Sequence, residues 1–166
     1  MVRQIKMLSV LLVLAAIAAP ALALPAPMSD QELADKSDLV AVVRVLSVTC
    51  TGVSKDEQTG EDLPSYLASL KLVEIKKGDA KAGDVVLVTW RAIPKGIVGP
   101  WAVAYYPGEE VLTHLAKRSN GVSYASTWWN AKGDDVKQPD SMDLPTTPGQ
   151  TMSPPQDKGA EKRLPL

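Results

Sequence analysis

The apolar positions of the chain fall into short runs and alternating patterns that predict β-strands. Residues 39–48 are almost wholly apolar and rich in β-branched side chains, which is typical of a strand that is buried on both faces or strongly coiled. From residue 66 to residue 72, apolar side chains recur at every second position, as in a half-buried strand. The apolar parity then shifts to Val73 and Ile75, and this shift predicts a β-bulge near Leu72-Val73.

Three further apolar segments predict the remaining strands, at residues 85–90, 110–117 and 122–129. The last two are separated by a turn with Asn120-Gly121 at its tip, which favours a hairpin. Residues 49–64 contain two glycines and four acidic residues, so we expect a solvated connection there. Residues 92–108 are interrupted by prolines and glycines, and they are expected to form a structured loop.

Both ends of the chain differ from this pattern. Ser29 and Glu32 have the spacing of a capping box and predict a short helix that ends near Lys36. From Asn130 onward, six of the thirteen prolines fall among polar residues, with few bulky apolar side chains. Such a segment buries too little surface to offset its ordering entropy, so residues 130–166 are expected to form a disordered tail.

The first residues have the order of parts of a secretory signal. Two positive charges precede an apolar run of residues 7–19, and Pro20 then leads into the small-residue site Ala21-Leu22-Ala23. A membrane-spanning helix needs about 20 apolar residues. The run of residues 7–19 is shorter, which favours a cleaved signal over a retained anchor. The chain is therefore interpreted as a signal at 1–23, a domain at 24–129 and the tail at 130–166, with a periplasmic or secreted location and no stable membrane span after cleavage.

Five short strands and one preceding helix predict a mainly β fold, a small five-stranded antiparallel OB-like barrel. Three segments also resemble small exported bacterial domains of the netrin and metalloproteinase-inhibitor type: residues 36–45 (KSDLVAVVRV), 72–78 (LVEIKKG) and 106–112 (YPGEEVL). This resemblance covers roughly residues 29–129 and implies the same OB-like barrel. The inhibitors use a cysteine at the mature N-terminus to bind a protease's zinc. The expected N-terminus here is Leu24-Pro25-Ala26, so that activity is not implied.

Composition excludes several classes of chemistry. The chain has one histidine and one cysteine, too few for a three-histidine metal centre, a thiolate cluster or an internal disulfide. Neither glycine-rich phosphate-binding motif occurs, so no cofactor is indicated. The net charge of −1 at pH 7 does not favour a nucleic-acid partner. His114 lies within a predicted strand, and paired acids such as Glu109-Glu110 lie in predicted turns. We therefore interpret His114 as structural and these acids as solvated, and we expect no catalytic residues.

The aromatic residues are the strongest indication of a binding surface. All eight lie between residues 66 and 129, and none is phenylalanine. Trp90 and one of the pair Trp128 and Trp129 are expected in the core, because adjacent strand residues point to opposite faces. The loop aromatics are expected either in the core or, with the other tryptophan of the pair, in an exposed rim, and Cys50 is expected as a further contact for a partner. This predicted rim consists of Trp101, Tyr105, Tyr106 and one of Trp128 and Trp129.

These observations favour an exported, non-enzymatic binding module that holds a protein partner in the cell envelope. An alternative is an accessory or maturation factor for a periplasmic enzyme, for example of the methylamine-utilisation type, that engages its client through Cys50 or the tail. A hydrolase with an unrecognised site is the least favoured hypothesis, because the chain has no assembled catalytic motif.

Overall fold

The computed structural model describes residues 25–95, 103–133 and 143–155, and the predicted signal at 1–23 lies outside them. One short helix, α1 (Asp30–Lys36), precedes six strands. The strands are β1 (Leu39–Lys55), β2 (Asp62–Lys77), β3 (Val85–Arg91), β4 (Glu110–Lys117), β5 (Ser123–Ser126) and β6 (Thr151–Met152). In the described residues, no helix is long and apolar enough to cross a membrane.

The first five strands form a closed ring. Strand β1 pairs with β2 along one edge and with β4 along the other, and the order β1-β2-β3-β5-β4 returns to β1. This confirms the predicted mainly β, OB-like fold. The expectation of a purely antiparallel sheet is wrong at one place, because β3 and β5 are parallel. Strand directions cannot alternate around a ring with an odd number of strands, so at least one neighbouring pair must be parallel.

The polar connection predicted at residues 49–64 is instead a hairpin arm. Strand β1 continues to Lys55, β2 begins at Asp62, and the two ends face each other through a 2.9 Å ion pair. The hydroxyl groups of Thr51 and Ser54 donate to backbone carbonyls of β2. The β1 end of this arm is largely exposed and mostly polar although its backbone is paired, whereas Leu63 and Pro64 on the β2 side are buried.

The predicted bulge is confirmed in the β1–β2 ladder. Val42 lies opposite Glu74 and Val43 lies opposite Leu72, so Val73 has no counterpart on β1. The ladder contains three further register shifts along its length. Each shift adds local twist, which helps β1 to coil far enough to pair with two neighbours at once.

Apolar side chains from β1, β2, β3 and β4, with Val103 and Tyr105, fill the interior, and half-buried Tyr124 of β5 packs against them. The capping box of α1 is confirmed by a 2.9 Å hydrogen bond from the Ser29 amide to Glu32 and a return bond from the Glu32 amide to Ser29 Oγ. Leu33 is the buried residue of this helix. The predicted β4–β5 hairpin is confirmed, with Gly121 in the left-handed region at its turn.

Part of the predicted C-terminal tail packs on the ring. Ala131 is fully buried, and Thr151–Met152 form β6 against Val48 and Thr49. Cys50 extends this contact, since its amide donates to Gln150 and its carbonyl accepts from Gly149. Strand β4 leaves β1 after Arg44, which exposes an edge that this segment covers. Residues 134–142 and 156–166 lie outside the described residues.

Alanine substitutions at two glycines test how closely the turn after β2 packs against Asp38, with Gly60 as the control for Gly78. Gly78 has φ +108°, and an added Cβ would lie 2.7 Å from the backbone oxygen of Asp38. Gly60 also has a positive φ of +72°, but an added Cβ there meets nothing within 4 Å. Gly60→Ala should lower the free energy of unfolding by about 1 kcal/mol, the cost of left-handed backbone alone. Gly78→Ala should cost at least twice as much, because the backbone of Asp38 must move. Equal losses in urea unfolding would contradict this packing.

Candidate functional site

The ring opens where its parallel pair ends. Strands β3 and β5 are paired only at Leu87 with Ser123 and at Val88 with Tyr124. Beyond these pairs, β3 continues to Arg91 and β5 to Ser126, and an open cleft of about 350 Å³ lies there. We call it the β3–β5 cleft. Its lining residues are Thr89, Trp90, Arg91, Val103, Arg118, Ala125, Ser126, Thr127, Trp128 and Trp129.

Trp90 forms the wall of the cleft on β3. Its ring lies between two tyrosines, with centroid distances of 5.1 Å to Tyr66 and 5.6 Å to Tyr105. The Tyr105 contact is edge-to-face, a favourable geometry for aromatic pairs. Trp90 therefore belongs partly to the core and partly to the cleft, and its orientation is fixed before any ligand arrives.

Trp128 and Trp129 form the opposite wall together. Strand β5 ends at Ser126, earlier than predicted, so strand alternation does not force these two side chains to opposite faces. Both are half-buried and both line the cleft. Their indole N–H groups donate to the carbonyls of Ala26 and Pro25, at 3.2 and 3.3 Å.

Asn130 completes this attachment of the chain's N-terminal segment. Its side-chain amide donates to the Met28 carbonyl at 2.8 Å, and its Oδ1 accepts from the Met28 amide at 3.2 Å. Residues 25–28 are thereby held along Trp128-Trp129-Asn130. These four hydrogen bonds orient the two indoles, so the second wall of the cleft is also preformed.

The charged groups of the cleft are both positive. Arg91 and Arg118 line it, and among the residues that the structure describes no acidic side chain does so. Arg118 donates through Nη2 to the Thr89 carbonyl at 3.0 Å, which leaves most of its donors for a ligand. Hydrogen bonding from the Thr59 amide, with a smaller contribution from Arg91, lowers the pKa of Asp56. The Asp56 carboxylate is bonded within its own turn, to Thr59 and Gln58.

The structure assigns the predicted rim residues to different environments. Tyr105 is not on a rim, because it is fully buried and its hydroxyl bonds to Thr113 at 2.6 Å and Ser126 at 3.2 Å. Cys50 is also fully buried, with Sγ 3.6 Å from the Gly52 carbonyl, so its thiol does not face solvent. Tyr106 is half-buried and is not among the lining residues. Trp101 lies outside the described residues.

A buried ion pair behind the cleft was not expected from the sequence. Glu109, predicted in a solvated turn, is buried and accepts a 3.0 Å hydrogen bond from the Tyr106 amide. Its Oε1 accepts no well-oriented hydrogen bond from the described residues but contacts Nζ of Lys132 in an ion pair. Lys132 also donates to the Ala104 carbonyl at 2.8 Å. The pair therefore ties segment 104–109 to segment 131–133.

The tyrosines of segment 104–109 enclose this ion pair. Lys132 Nζ lies 5.5 Å from the ring centroids of both Tyr105 and Tyr106, within the range of cation–π contacts. Burial is the main cause that raises the pKa of Tyr105, and also that of Tyr106. The sequence spacing of Glu109 and Lys132 does not predict their contact, because β4, β5 and the turn between them bring the two residues together.

The polar side chains of the cleft are hydroxyl and guanidinium groups. In the described part of the chain, its lining offers three hydroxyl groups and two guanidinium groups, and no imidazole, thiol or carboxylate. His114 lies elsewhere, buried in β4 with Nδ1 3.1 Å from the Ala131 carbonyl. Within the described ranges, no group of three or more His, Cys, Asp and Glu side chains is placed to hold a metal ion.

Comparisons with known proteins give no relative for this chain. No protein-family model, no curated protein and no solved structure matches it.

Removing the cation of the buried pair should strongly destabilise the fold. Lys132→Met leaves the Glu109 carboxylate buried without its cation, and breaking such a pair costs about 3–5 kcal/mol. Adding Glu109→Gln to Lys132→Met should recover most of this loss, because no charge then remains buried. Urea unfolding of the wild type and the two variants measures both effects.

The buried Tyr105 hydroxyl should make the fold sensitive to alkali. Its pKa is raised from the ordinary value of 10.0, mainly by burial. Its contribution is therefore fully present below the unfolded pKa and is lost as the pH rises through the folded pKa. Tyr105→Phe should cost about 1–2 kcal/mol at pH 7, because buried Thr113 loses its partner, but its stability should fall less steeply above pH 10. Tyr124→Phe is the control, and equal slopes in all three proteins would refute this role.

Proposed function

We propose that this protein is an exported, non-enzymatic binding module that holds a protein partner of the cell envelope in the β3–β5 cleft. The observation that carries this proposal is a preformed cleft whose two walls contain three tryptophans, Trp90, Trp128 and Trp129, at the place where the ring of strands opens. Tryptophan and arginine are enriched among the residues that dominate the energetics of protein interfaces, and the cleft is lined by both.

The rigidity of the cleft supports the proposal. Trp90 is packed between two tyrosines, and the indoles of Trp128 and Trp129 are hydrogen-bonded to residues 25 and 26. A side chain that is already ordered loses little conformational entropy when it contacts a partner. A volume of about 350 Å³ suits a few side chains of a partner rather than a whole domain surface.

The burial of Cys50 bears on the alternative function as a maturation factor. Attack on a client's disulfide requires an accessible thiolate, and this side chain is fully buried with β6 and residue 150 beside it. A client of a maturation factor would therefore engage the tail or the same cleft rather than form a mixed disulfide. If the client engages the cleft, the two hypotheses differ only in what the partner does.

Site-specific photocrosslinking in the native cell envelope tests the proposal. A photoreactive benzoylphenylalanine in place of Thr127, which lines the cleft, should give a covalent adduct with a partner protein. The same group in place of Lys71, an exposed residue of β2 outside the lining, is the control position. Equal adducts at both positions, or none at position 127, would overturn the proposal.

Truncation of one cleft wall should weaken the same adduct. Trp128→Ala should cost about 2 kcal/mol in partner binding, about 30-fold in Kd, as for a central interface tryptophan. Val122→Ala is the matched control, because Val122 is 68% exposed and lies outside the lining. Circular dichroism of both variants establishes that the fold is retained, and an unchanged adduct in folded Trp128→Ala would contradict the assignment of the site.

A further inference from the structure

We propose that the ligand of the β3–β5 cleft is an extended peptide segment with acidic side chains, which adds as a short strand between β3 and β5. This inference rests on the proposed function and specifies the chemistry of the partner. Three properties of the cleft carry it: the backbone groups at its two edges, its charge and its tryptophan walls.

The first property is the backbone that the ends of β3 and β5 present to the gap between them. The Thr89 carbonyl there already accepts from Arg118 Nη2 at 3.0 Å, so the groups that concern a ligand are those of Arg91 and Ser126. On the far side of β3, the Ala92 amide bonds to Pro64, and on the far side of β5 the Thr127 amide bonds to His114. Backbone groups of successive strand residues point alternately to the two edges. Arg91 and Ser126 therefore direct their N–H and C=O groups into the gap, where the β3–β5 pairing has already ended.

The extent of these edges matches a short peptide. Beyond the last pair, β3 continues for three residues and β5 for two. At about 3.3 Å per residue, this is roughly 10 Å of edge on β3 and roughly 7 Å on β5, enough for about two residues of an added strand that contacts both. Main-chain hydrogen bonds of this kind supply affinity, while pockets for alternate side chains supply specificity.

The second property is the charge of the cleft. Arg91 and Arg118 line it without an acidic side chain among the other lining residues, and the nearby Asp56 carboxylate is bonded within its own turn. Guanidinium groups bind carboxylates with paired hydrogen bonds. An acidic side chain on the incoming segment therefore complements the cleft, whereas a basic one is repelled.

The tryptophans of the cleft are the third property, and they also suit a second class of ligand. The faces of Trp90, Trp128 and Trp129 favour an aromatic or aliphatic side chain next to the acidic one. Tryptophans with two arginines would also suit a single-stranded nucleic acid. The N–H and C=O groups of Arg91 and Ser126 have no backbone partner among the described residues, and they match a peptide backbone. A nucleic acid offers no such ladder, so the structure favours the peptide.

Selection from a displayed library of random heptapeptides tests the proposal on the mature chain. Bound peptides should be enriched in Asp or Glu next to an aromatic or aliphatic residue. The strongest one is then synthesised with both termini blocked, so that only side-chain carboxylates are measured, together with a control in which Asn and Gln replace its acidic residues. The control should bind at least about tenfold more weakly, which is about 1.4 kcal/mol.

Charge reversal and backbone methylation sharpen the test. Arg118→Glu should weaken the acidic peptide at least tenfold and should shift the selected library towards Lys and Arg. Lys71→Glu, a change of the same charge outside the cleft, should leave binding unchanged. Methylation of a central backbone amide of the peptide should also weaken binding at least tenfold, because an added strand donates that hydrogen.

The outcomes separate this inference from the proposed function. Peptides that require Trp128 but show no acidic enrichment, or that tolerate backbone methylation, would overturn the inference and leave the binding module in place. Tighter binding of an eight-residue oligothymidine than of the selected peptide would overturn it in favour of a nucleic acid. Selection of no peptide that depends on Trp128 would also overturn it, and absence of the crosslink at position 127 would then overturn the proposed function as well.

Discussion

The closure of an odd number of strands into a ring is the constraint on which the rest of this structure depends. Five strands cannot alternate in direction around a circle, so one seam must be parallel, and here it lies between β3 and β5. The other four contacts are longer antiparallel ladders. The parallel seam has only two residue pairs, and it opens into the cleft. The candidate site is therefore a consequence of ring closure rather than an addition to the fold.

Because the β3–β5 pairing is short, other contacts must stabilise this part of the ring. The buried groups behind the pairing have this role. The Tyr105 hydroxyl bonds to Thr113 on β4 and to Ser126 on β5, so it links two strands beside the opening. The Glu109–Lys132 pair ties the loop that carries Tyr105 to the segment that follows the cleft tryptophans. Together these contacts hold the two walls at a fixed separation without closing the gap between them.

Sequence patterns predicted the strands of the ring well, but they predicted the β1–β2 hairpin arm and the β3–β5 cleft less well. Strand β4 was predicted at its observed bounds, and the bulge at Val73 followed from a change of apolar parity, because both signals arise from burial on one face. The arm formed by the ends of β1 and β2 was missed, since polarity reports exposure and not backbone pairing. Tyr105 was expected on a rim, and only the tertiary partners of its hydroxyl explain its burial. No local signal relates Glu109 to Lys132, which are 23 positions apart.

The chain has no phenylalanine, so each of its aromatic side chains combines an apolar ring with one polar atom. Both parts make contacts in Tyr105, Trp128 and Trp129. The Tyr105 hydroxyl and the indole N–H groups of Trp128 and Trp129 bond to other strands or to the N-terminal segment, while the rings fill the core or line the cleft. Trp90 joins the two regions, because it packs against core tyrosines and also faces the cleft. A ligand that stacks on Trp90 therefore contacts a residue whose position is fixed by the core, so the cleft can recognise a partner without rearranging the ring.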